Sequence, residues 1–370
     1  MDRIIGHMPI LIFANHSGGL YDFRGALIRA LRQRGTVTVV VPRNDKWDEL
    51  HQIVDRVIEL PIDRRGMDPL RDSSLFRRYR AILREVRPDL VLTYTIKPNI
   101  YGGLACRLAH VPYAVNITGL GSAIENGGWL QRFVLMLYRP ALKGARVVFF
   151  ENAANRDVMA AAGVLPHGRE VVLNGAGIDL TDYPCQPYPQ DGPVRFLFVG
   201  RVMREKGVDE LFTAARRMKQ AHGERVAFHI VGSFEEAYKP VMDELEQTGV
   251  VVYHGYQPDM LPFYAQASCV VLPSYHEGMS NVLLEAAASG RPLITSDVPG
   301  CREAVDDGVS GYLCPARDAE ALSRALERFL SLPQPDRAEM GRRGRARMEA
   351  GFDKASVVHE TILHLGAIHD

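Results

Sequence analysis

Two glutamates eight positions apart, Glu277 and Glu285, bracket the run EGMSNVLLE shortly after the apolar stretch CVVLP at 269–273. A carboxylate that accepts hydrogen bonds from two vicinal hydroxyls can hold a sugar ring, so one glutamate suits a sugar and the other a ribose. Between them Gly278 permits close backbone approach, Met279 follows it, and Ser280 or Asn281 is placed to cap a helix that begins there. A helix start carries unpaired N–H groups and a partial positive charge, which suits a phosphate. Spacing alone leaves a plainer reading open, in which two surface acids simply favour a helix N-terminus.

A second set follows the apolar RFLFV, where Gly200, Arg201 and then Lys206-Gly207 stand in GRVMREKG. Ligands of doubly wound sheets sit beyond the carboxyl ends of the strands. Two cations leaving such an end suit a diphosphate, arginine as a planar fork and lysine as a point charge. A Lys-Gly turn is equally an ordinary loop. A third set is NHSGGL at 15–20, with His16, Gly18 and Gly19 between a first strand and a first helix. It has the look of a nucleotide-binding turn without the full G-x-G-x-x-G, which speaks against a nicotinamide dehydrogenase. A tight turn would also explain the paired glycines.

The chain that must position these residues has 370 of them, 46% hydrophobic and 24% charged, the composition of an ordinary folded protein. Its length suits two domains. Lys+Arg and Asp+Glu each number 44, so the formal charge is zero and no basic surface for nucleic acid is indicated. Residues 1–190 hold 24 basic against 18 acidic side chains and residues 191–370 hold 20 against 26, a split of +6 and −6. That split fits an anionic surface or substrate on one side, or merely solvated faces. Five cysteines without C-x-x-C spacing indicate neither disulfide framework nor zinc site and point to a reducing cytosol. The apolar stretch near the N-terminus is too short for a signal segment or a membrane span and reads as a buried strand.

Short apolar runs alternating with helix-period segments predict parallel sheets wrapped by helices. Strands are expected at 9–15, 36–41, 90–95, 113–117 and 146–150, with Phe23, Leu27, Ala30 and Leu31 on the core face of the first helix. A second series starts at Arg195: RFLFVG, a helix near 211–220, VAFHIVG, a helix near 240–247, VVYHG, CVVLP, PLITS and GYLCP. Four prolines and a glycine in 183–193 predict the linker, and an apolar segment at 357–365 predicts a packed helix returning to the first domain.

In this order, GG, GRxxxxKG, EGMSNVLLE, ASGRPLITS and GVSGYLCP resemble the retaining glycosyltransferases of family 4, over nearly the whole chain. The resemblance implies an α/β chain of the GT-B fold, two Rossmann-like doubly wound domains facing across a cleft. It assigns acceptor binding to 1–185, with 355–370 returning to it, and nucleotide-sugar binding to 190–354. Within the family, TYTIKPNIYGG at 93–103 and NITGLGSA at 116–123 resemble bacterial enzymes that add a sugar to undecaprenyl-diphosphate-linked acceptors in surface-polysaccharide or protein-glycan assembly. The resemblance implies that Arg201 and Lys206 hold the donor diphosphate, with Gly200 beside them. It has Glu285 bind the ribose, Glu277 and the backbone at Gly278, Met279 and Ser280 hold the transferred sugar, and Asn281 join the donor-binding residues. Gly18 and Gly19 would close over the diphosphate. Many members carry a sugar-contacting histidine near the position of Thr118; its absence leaves His16, Thr118 and Lys97 as the first-domain candidates for sugar or acceptor contact.

Catalysis of this kind chiefly stabilises charge on the departing phosphate and on an oxocarbenium-like sugar. The resemblance implies retention by same-face attack; double displacement through Glu277 is the alternative. No cofactor and no metal are expected, since no D-x-D occurs and fixed cations neutralise the diphosphate. The donor expected is a UDP-sugar, N-acetylgalactosamine or another hexose. The segment 129–146 mixes apolar residues with Arg132, Arg139, Lys143 and Arg146, with Trp129 and Tyr138 as interfacial anchors. It reads either as contact with the cytoplasmic face of the inner membrane or as a core helix broken at Pro140. The competing functions are a GT-B sugar epimerase or hydrolase, a transferase with a soluble acceptor, and a binding module without activity.

Overall fold

A computed structural model describes residues 8–63, 68–120, 128–166 and 168–366. The chain forms two compact units, Met1–Ala176 with Ala355–Asp370, and Gly177–Lys354.

The first unit is built on a seven-stranded sheet, all pairs parallel, in the order β3-β2-β1-β4-β5-β6-β7. Its strands are β1 (Ile10–Phe13), β2 (Val37–Val41), β3 (Arg56–Glu59), β4 (Leu90–Tyr94), β5 (Tyr113–Ile117), β6 (Val147–Phe150) and β7 (Glu170–Val172). Helices α1 (Ser17–Arg32), α2 (Trp47–Ile53), α3 (Pro69–Val86), α4 (Gly103–Ala109), α5 (Gly128–Leu142) and α6 (Ala153–Ala161) connect them. Alternation along β1 sends Leu11 and Phe13 into one core and Ile10 and Ile12 into the other, so both faces are covered and the strand is apolar throughout. The edge strands β3 and β7 were not expected. They are short, only partly buried and begin on charged residues, so no apolar run marks them.

Helix α1 also departs from expectation. Its buried residues include Leu20, Leu27, Ile28 and Leu31, whereas Phe23 is 41% exposed. At about 100° per residue the centre of that buried face passes between Leu20 and Ile28, which turns Phe23 outward and Arg24 inward.

The second unit has a six-stranded parallel sheet in the order β10-β9-β8-β11-β12-β13. Its strands are β8 (Val194–Val199), β9 (Val226–Val231), β10 (Val252–Tyr253), β11 (Cys269–Leu272), β12 (Leu293–Ser296) and β13 (Gly311–Cys314). Helices α7 (Val208–His222), α8 (Lys239–Gln247), α9 (Leu261–Gln266), α10 (Asn281–Ala288), α11 (Ala319–Ser331) and α12 (Gln334–Gly351) accompany it. The final helix, α13 (Lys354–Gly366), buries Val357, Ile362 and Leu365 in the core that contains Ile10, Ile12 and Phe149, and so belongs to the first unit.

The boundary differs from the expected one. The chain passes between units at Ala176–Gly177, and the proline-rich 183–193 segment is fastened to the second unit. Fully buried Arg291 is the clasp: its Nη2 donates to Gln186 O at 2.8 Å and Pro187 O at 2.7 Å, and the guanidinium lies 5.6 Å from the Tyr188 ring centroid. Prolines remove backbone donors but leave their carbonyls, and a buried arginine satisfies those carbonyls. With these boundaries the charges remain 24 basic against 18 acidic in the first unit and 20 against 26 in the second.

In the second unit, His229 on β9 and His254 stack at 5.2 Å with Nδ1 and Nε2 2.9 Å apart. Burial first, then His254, Arg195 and Lys219, pushes the His229 imidazole down to about 4, and burial also lowers His254. An unfolded histidine titrates near about 6.5. Between these values the unfolded chain takes up protons that the native pair refuses, so stability present above pH ~6.5 is lost as pH falls towards ~4. The urea midpoint of the wild type is expected to fall more steeply between pH 7 and 5 than that of His229→Gln; parallel slopes would remove the pair from the account.

Candidate active site

The residues singled out in the second unit gather at the carboxyl ends of β8 and β11, which are adjacent strands. Gly200 leaves β8 at φ +147, and a Cβ on Gly232, which leaves β9, would lie 2.0 Å from Gly200 O, so two bare backbones meet there. Arg201 follows, exposed and without a partner among the described residues. The chain then makes a single helical turn at Arg204–Lys206 and reaches Gly207 at φ +68. A Cβ on Gly207 would stand 2.0 Å from Pro273 O. Only glycine allows this turn to press against the end of β11, and that approach delivers Lys206.

Lys206 Nζ donates to Glu277 Oε1, which also accepts from Ser274 Oγ at 2.8 Å; the Lys206 and Glu277 side chains are 25% and 14% exposed. The loop carrying Glu277 and Gly278 rests on Pro299-Gly300. Ser280 N donates to Gly300 O at 2.8 Å, and a Cβ on Gly300 would be 2.5 Å from Glu277 O. Ser280 occupies the N-cap position of α10, but its side chain makes no capping bond, contrary to the expected cap; Asn281 is the first helical residue. Met279 is buried in the core and shapes the loop from beneath. Glu285, inside α10, accepts from the hydroxyl of fully buried Tyr264 at 2.8 Å. Burial and the adjacent carboxylate push that phenol well above its ordinary range, so it stays a donor.

The sequence singles out Lys206, Glu277 and Glu285 as candidates, but not Ser274 or Tyr264, which the structure places against the two glutamates. Ser274 could have been noticed as the hydroxyl three residues before Glu277. Tyr264 carries no local signal, because its partner is 21 residues away.

In the first unit the candidates follow three strand ends. His16 is the N-cap of α1: its Nδ1 accepts from Gly19 N at 3.0 Å, and Nε2 lies 3.4 Å from Asp45 Oδ1. Capping engages the ring. Gly18 packs against the same loop: a Cβ there would be 2.6 Å from Asp45 Oδ2, the end of a side chain that is 73% exposed, and 3.2 Å from Asp45 O. Thr118 follows β5, half-buried. Lys97, after β4, donates to buried Asp72 at 2.8 Å, and Tyr101 donates to the other carboxylate oxygen at 2.9 Å. This group borders a cavity of about 450 Å³ lined by Arg71, Arg78 and Leu75 among others. No hydrogen bond among the described residues joins His16, Thr118 and Lys97 to one another.

Helix α5 settles two expectations about the 129–146 segment. Tyr138 is fully buried with Val134 and Leu142 and is no interfacial anchor, and the helix runs through Pro140 to Leu142. Its opposite face exposes Trp129 by 75%, Met136 by 60% and Phe133 by 38%, beside exposed Arg132, Arg139 and Lys143. No helix among the described residues is long and apolar enough to cross a membrane.

Two family models match in tandem: Glycosyl transferase 4-like domain over residues 18–175 and Glycosyl transferases group 1 over 186–347. The N,N'-diacetylbacillosaminyl-diphospho-undecaprenol alpha-1,3-N-acetylgalactosaminyltransferase of Campylobacter jejuni is 28% identical over 337 residues, 86% of this chain and 88% of that protein. The capsular polysaccharide biosynthesis glycosyltransferase CapM of Staphylococcus aureus is 29% identical over 313 residues, 78% of this chain and 81% of that one. Anabaena Alr3699/HepE, solved in complex with UDP-glucose, superposes with a TM-score of 0.80 at 20% identity, over 98% of this chain and 100% of that one. The last likeness carries the fold.

Gly207→Ala tests the approach that delivers Lys206. A left-handed backbone and the contact with Pro273 O together are expected to cost about 1–3 kcal/mol, read as a lowered urea midpoint. An unchanged midpoint would mean that the turn is not held against β11.

Proposed function

We propose, from the premise that this chain is a glycosyltransferase of the GT-B type with a 4-like domain ahead of a group 1 domain, that it transfers a hexose or N-acetylhexosamine from a UDP-sugar to a polyprenyl-diphosphate-linked saccharide. N-acetylgalactosamine and undecaprenyl diphosphate are the first choices, since the Campylobacter relative is named for both. The observation that carries the reading is the Lys206–Glu277 pair at the carboxyl end of the second sheet.

The pair explains how a site for a dianion can wait without its ligand. Lys206 is compensated by Glu277 until a diphosphate arrives to share it, so no partly buried cation stands unpaired. Arg201, without a partner among the described residues, adds a fork on the same strand end. When the bond from the anomeric carbon to the β-phosphate oxygen breaks, its electron pair stays on that oxygen, where Lys206 and Arg201 meet the charge. The acceptor hydroxyl bonds the anomeric carbon from the same face, and its proton passes to the departing phosphate. Glu277 then holds a sugar hydroxyl through Oε2, and Glu285 holds the ribose. With two cations in place the diphosphate needs no metal ion, so EDTA is expected to leave the rate unchanged.

The exposed face of α5 supports contact with an anionic membrane, where a polyprenyl acceptor is found: Trp129, Phe133 and Met136 would enter the headgroup boundary while Arg132, Arg139 and Lys143 meet lipid phosphates. We place the protein peripherally on the cytoplasmic leaflet.

Three outcomes check this reading. In a panel of UDP- and GDP-sugars, UDP-N-acetylgalactosamine is expected to raise the Tm most, and Lys206→Ala to lower kcat by roughly 100-fold or more while the chain still unfolds cooperatively, at an unliganded Tm lowered by the loss of the cation from Glu277. An active Lys206→Ala enzyme would sink the diphosphate assignment. Flotation with liposomes containing phosphatidylglycerol is expected for the wild type and lost in Trp129→Glu/Met136→Glu; equal flotation of both would detach the membrane from α5.

A further inference from the structure

The cavity beside Lys97 has two unlike walls. Its volume of about 450 Å³ suits a small molecule, and it lies beyond the carboxyl ends of β3 and β4, where doubly wound sheets hold ligands. One wall belongs to α3, on which Arg71, Ser74 and Arg78 are spaced by three and four residues and so share a face; Lys97 joins them from the end of β4. The other wall is hydrocarbon, from Pro61, Ile62 and buried Leu75.

The backbone that carries Lys97 is unusual. Thr95 has φ +74, a conformation that a β-branched residue adopts only under constraint. A π-helical turn follows at Pro98–Gly102, a form that recurs at functional sites. Together they bring Lys97 and Tyr101 onto the two oxygens of buried Asp72, at 2.8 and 2.9 Å.

That contact decides what the cavity offers. Both Asp72 oxygens already accept, and Arg71 lies 3.5 Å from Asp63, so neither carboxylate of the lining is left uncompensated. Arg78 is exposed and has no partner among the described residues, and Lys97 Nζ keeps two N–H groups beyond the one given to Asp72. Three cations stand against two carboxylates in the lining. What remains for a ligand is mainly N–H donors, one surplus positive charge and an apolar surface. A sugar alone would ask for acceptors as well as donors, whereas ionised phosphate oxygens only accept.

We propose that this cavity holds the diphosphate of a prenyl-diphosphate acceptor, with Arg78 and Lys97 donating to its oxygens and the first isoprene carbons resting on Pro61, Ile62 and Leu75. It rests on the sugar-transfer reading above. The guanidinium of Arg78 presents a planar fork to two oxygens, and Lys97, held in place by Asp72, presents a point charge. An amphipathic ligand is what a wall of donors beside a wall of hydrocarbon fits.

Arg78→Ala removes an exposed side chain that pairs with nothing, so its Tm is expected to equal that of the wild type. With UDP saturating the donor site, farnesyl diphosphate titrated calorimetrically is expected to bind the wild type and to bind Arg78→Ala roughly 10-fold more weakly, with part of the loss restored in Arg78→Lys. Absent binding to the wild type, or equal affinity for wild type and Arg78→Ala, overturns the site. Inorganic pyrophosphate binding the wild type as tightly as farnesyl diphosphate overturns it too, since the apolar wall would then have no part. In transfer to a synthetic polyprenyl-diphosphate N-acetylhexosamine, the acceptor KM of Arg78→Ala is expected to rise by a similar factor while protection by UDP is unchanged. A wild type that binds farnesyl diphosphate through Arg78 yet transfers no sugar to that probe would sink the sugar-transfer reading and leave the cavity a prenyl-diphosphate site.

Discussion

An ammonium group held against a carboxylate, Lys206 on Glu277, is the interaction around which the second unit is arranged. The two residues are 71 positions apart and belong to loops that leave different strands. Bringing them together requires β8 and β11 to be neighbours in one parallel sheet. It also requires bare backbone at Gly207, where the first loop meets Pro273, and at Gly300, where a third segment supports the second loop. The apolar strands beneath are fully covered by helices, so the loop ends have a fixed platform and the pair can remain partly buried. Most of the sequence of this unit can be understood as support for that short contact.

The two units solve different electrostatic problems with one net charge of zero. The first carries an excess of cations, several of them on the exposed faces of α3 and α5. The second carries an excess of acids, yet leaves Arg201 without a partner among the described residues at a strand end. Neutrality of the chain is therefore a sum of unlike surfaces, and local placement decides where anions are met.

Much of the fold was legible because parallel strands buried on both faces must be apolar throughout, and ILIF, VTVVV and CVVL are. Edge strands escape that rule: RVIE and EVV read as loops because water reaches one side of them. Phe23 was misplaced for a related reason. Apolar periodicity counts only side-chain type, whereas α1 turns Arg24 inward where Glu151 pairs with it, and nothing near position 24 announces a partner 127 residues on. The proline-rich segment looked like a free connector because its composition cannot reveal Arg291, which lies about a hundred residues further along and binds its carbonyls. The site residues were legible as types and spacings, while their mutual pairing depended on the strand order, which no local pattern encodes.

Helix α13 gives the two units unequal histories. The second unit is one continuous stretch, and its core can close as soon as residue 354 has emerged from the ribosome. The first unit must wait for Val357, Ile362 and Leu365 to cover Ile10 and Ile12, a contact spanning almost the entire chain. Loop closure over such a separation is slow, and until it happens the part of the first core that Val357, Ile362 and Leu365 complete stays exposed. During synthesis the first part of the protein to be made is thus the last to be finished, and it is the part for which a chaperone would matter most.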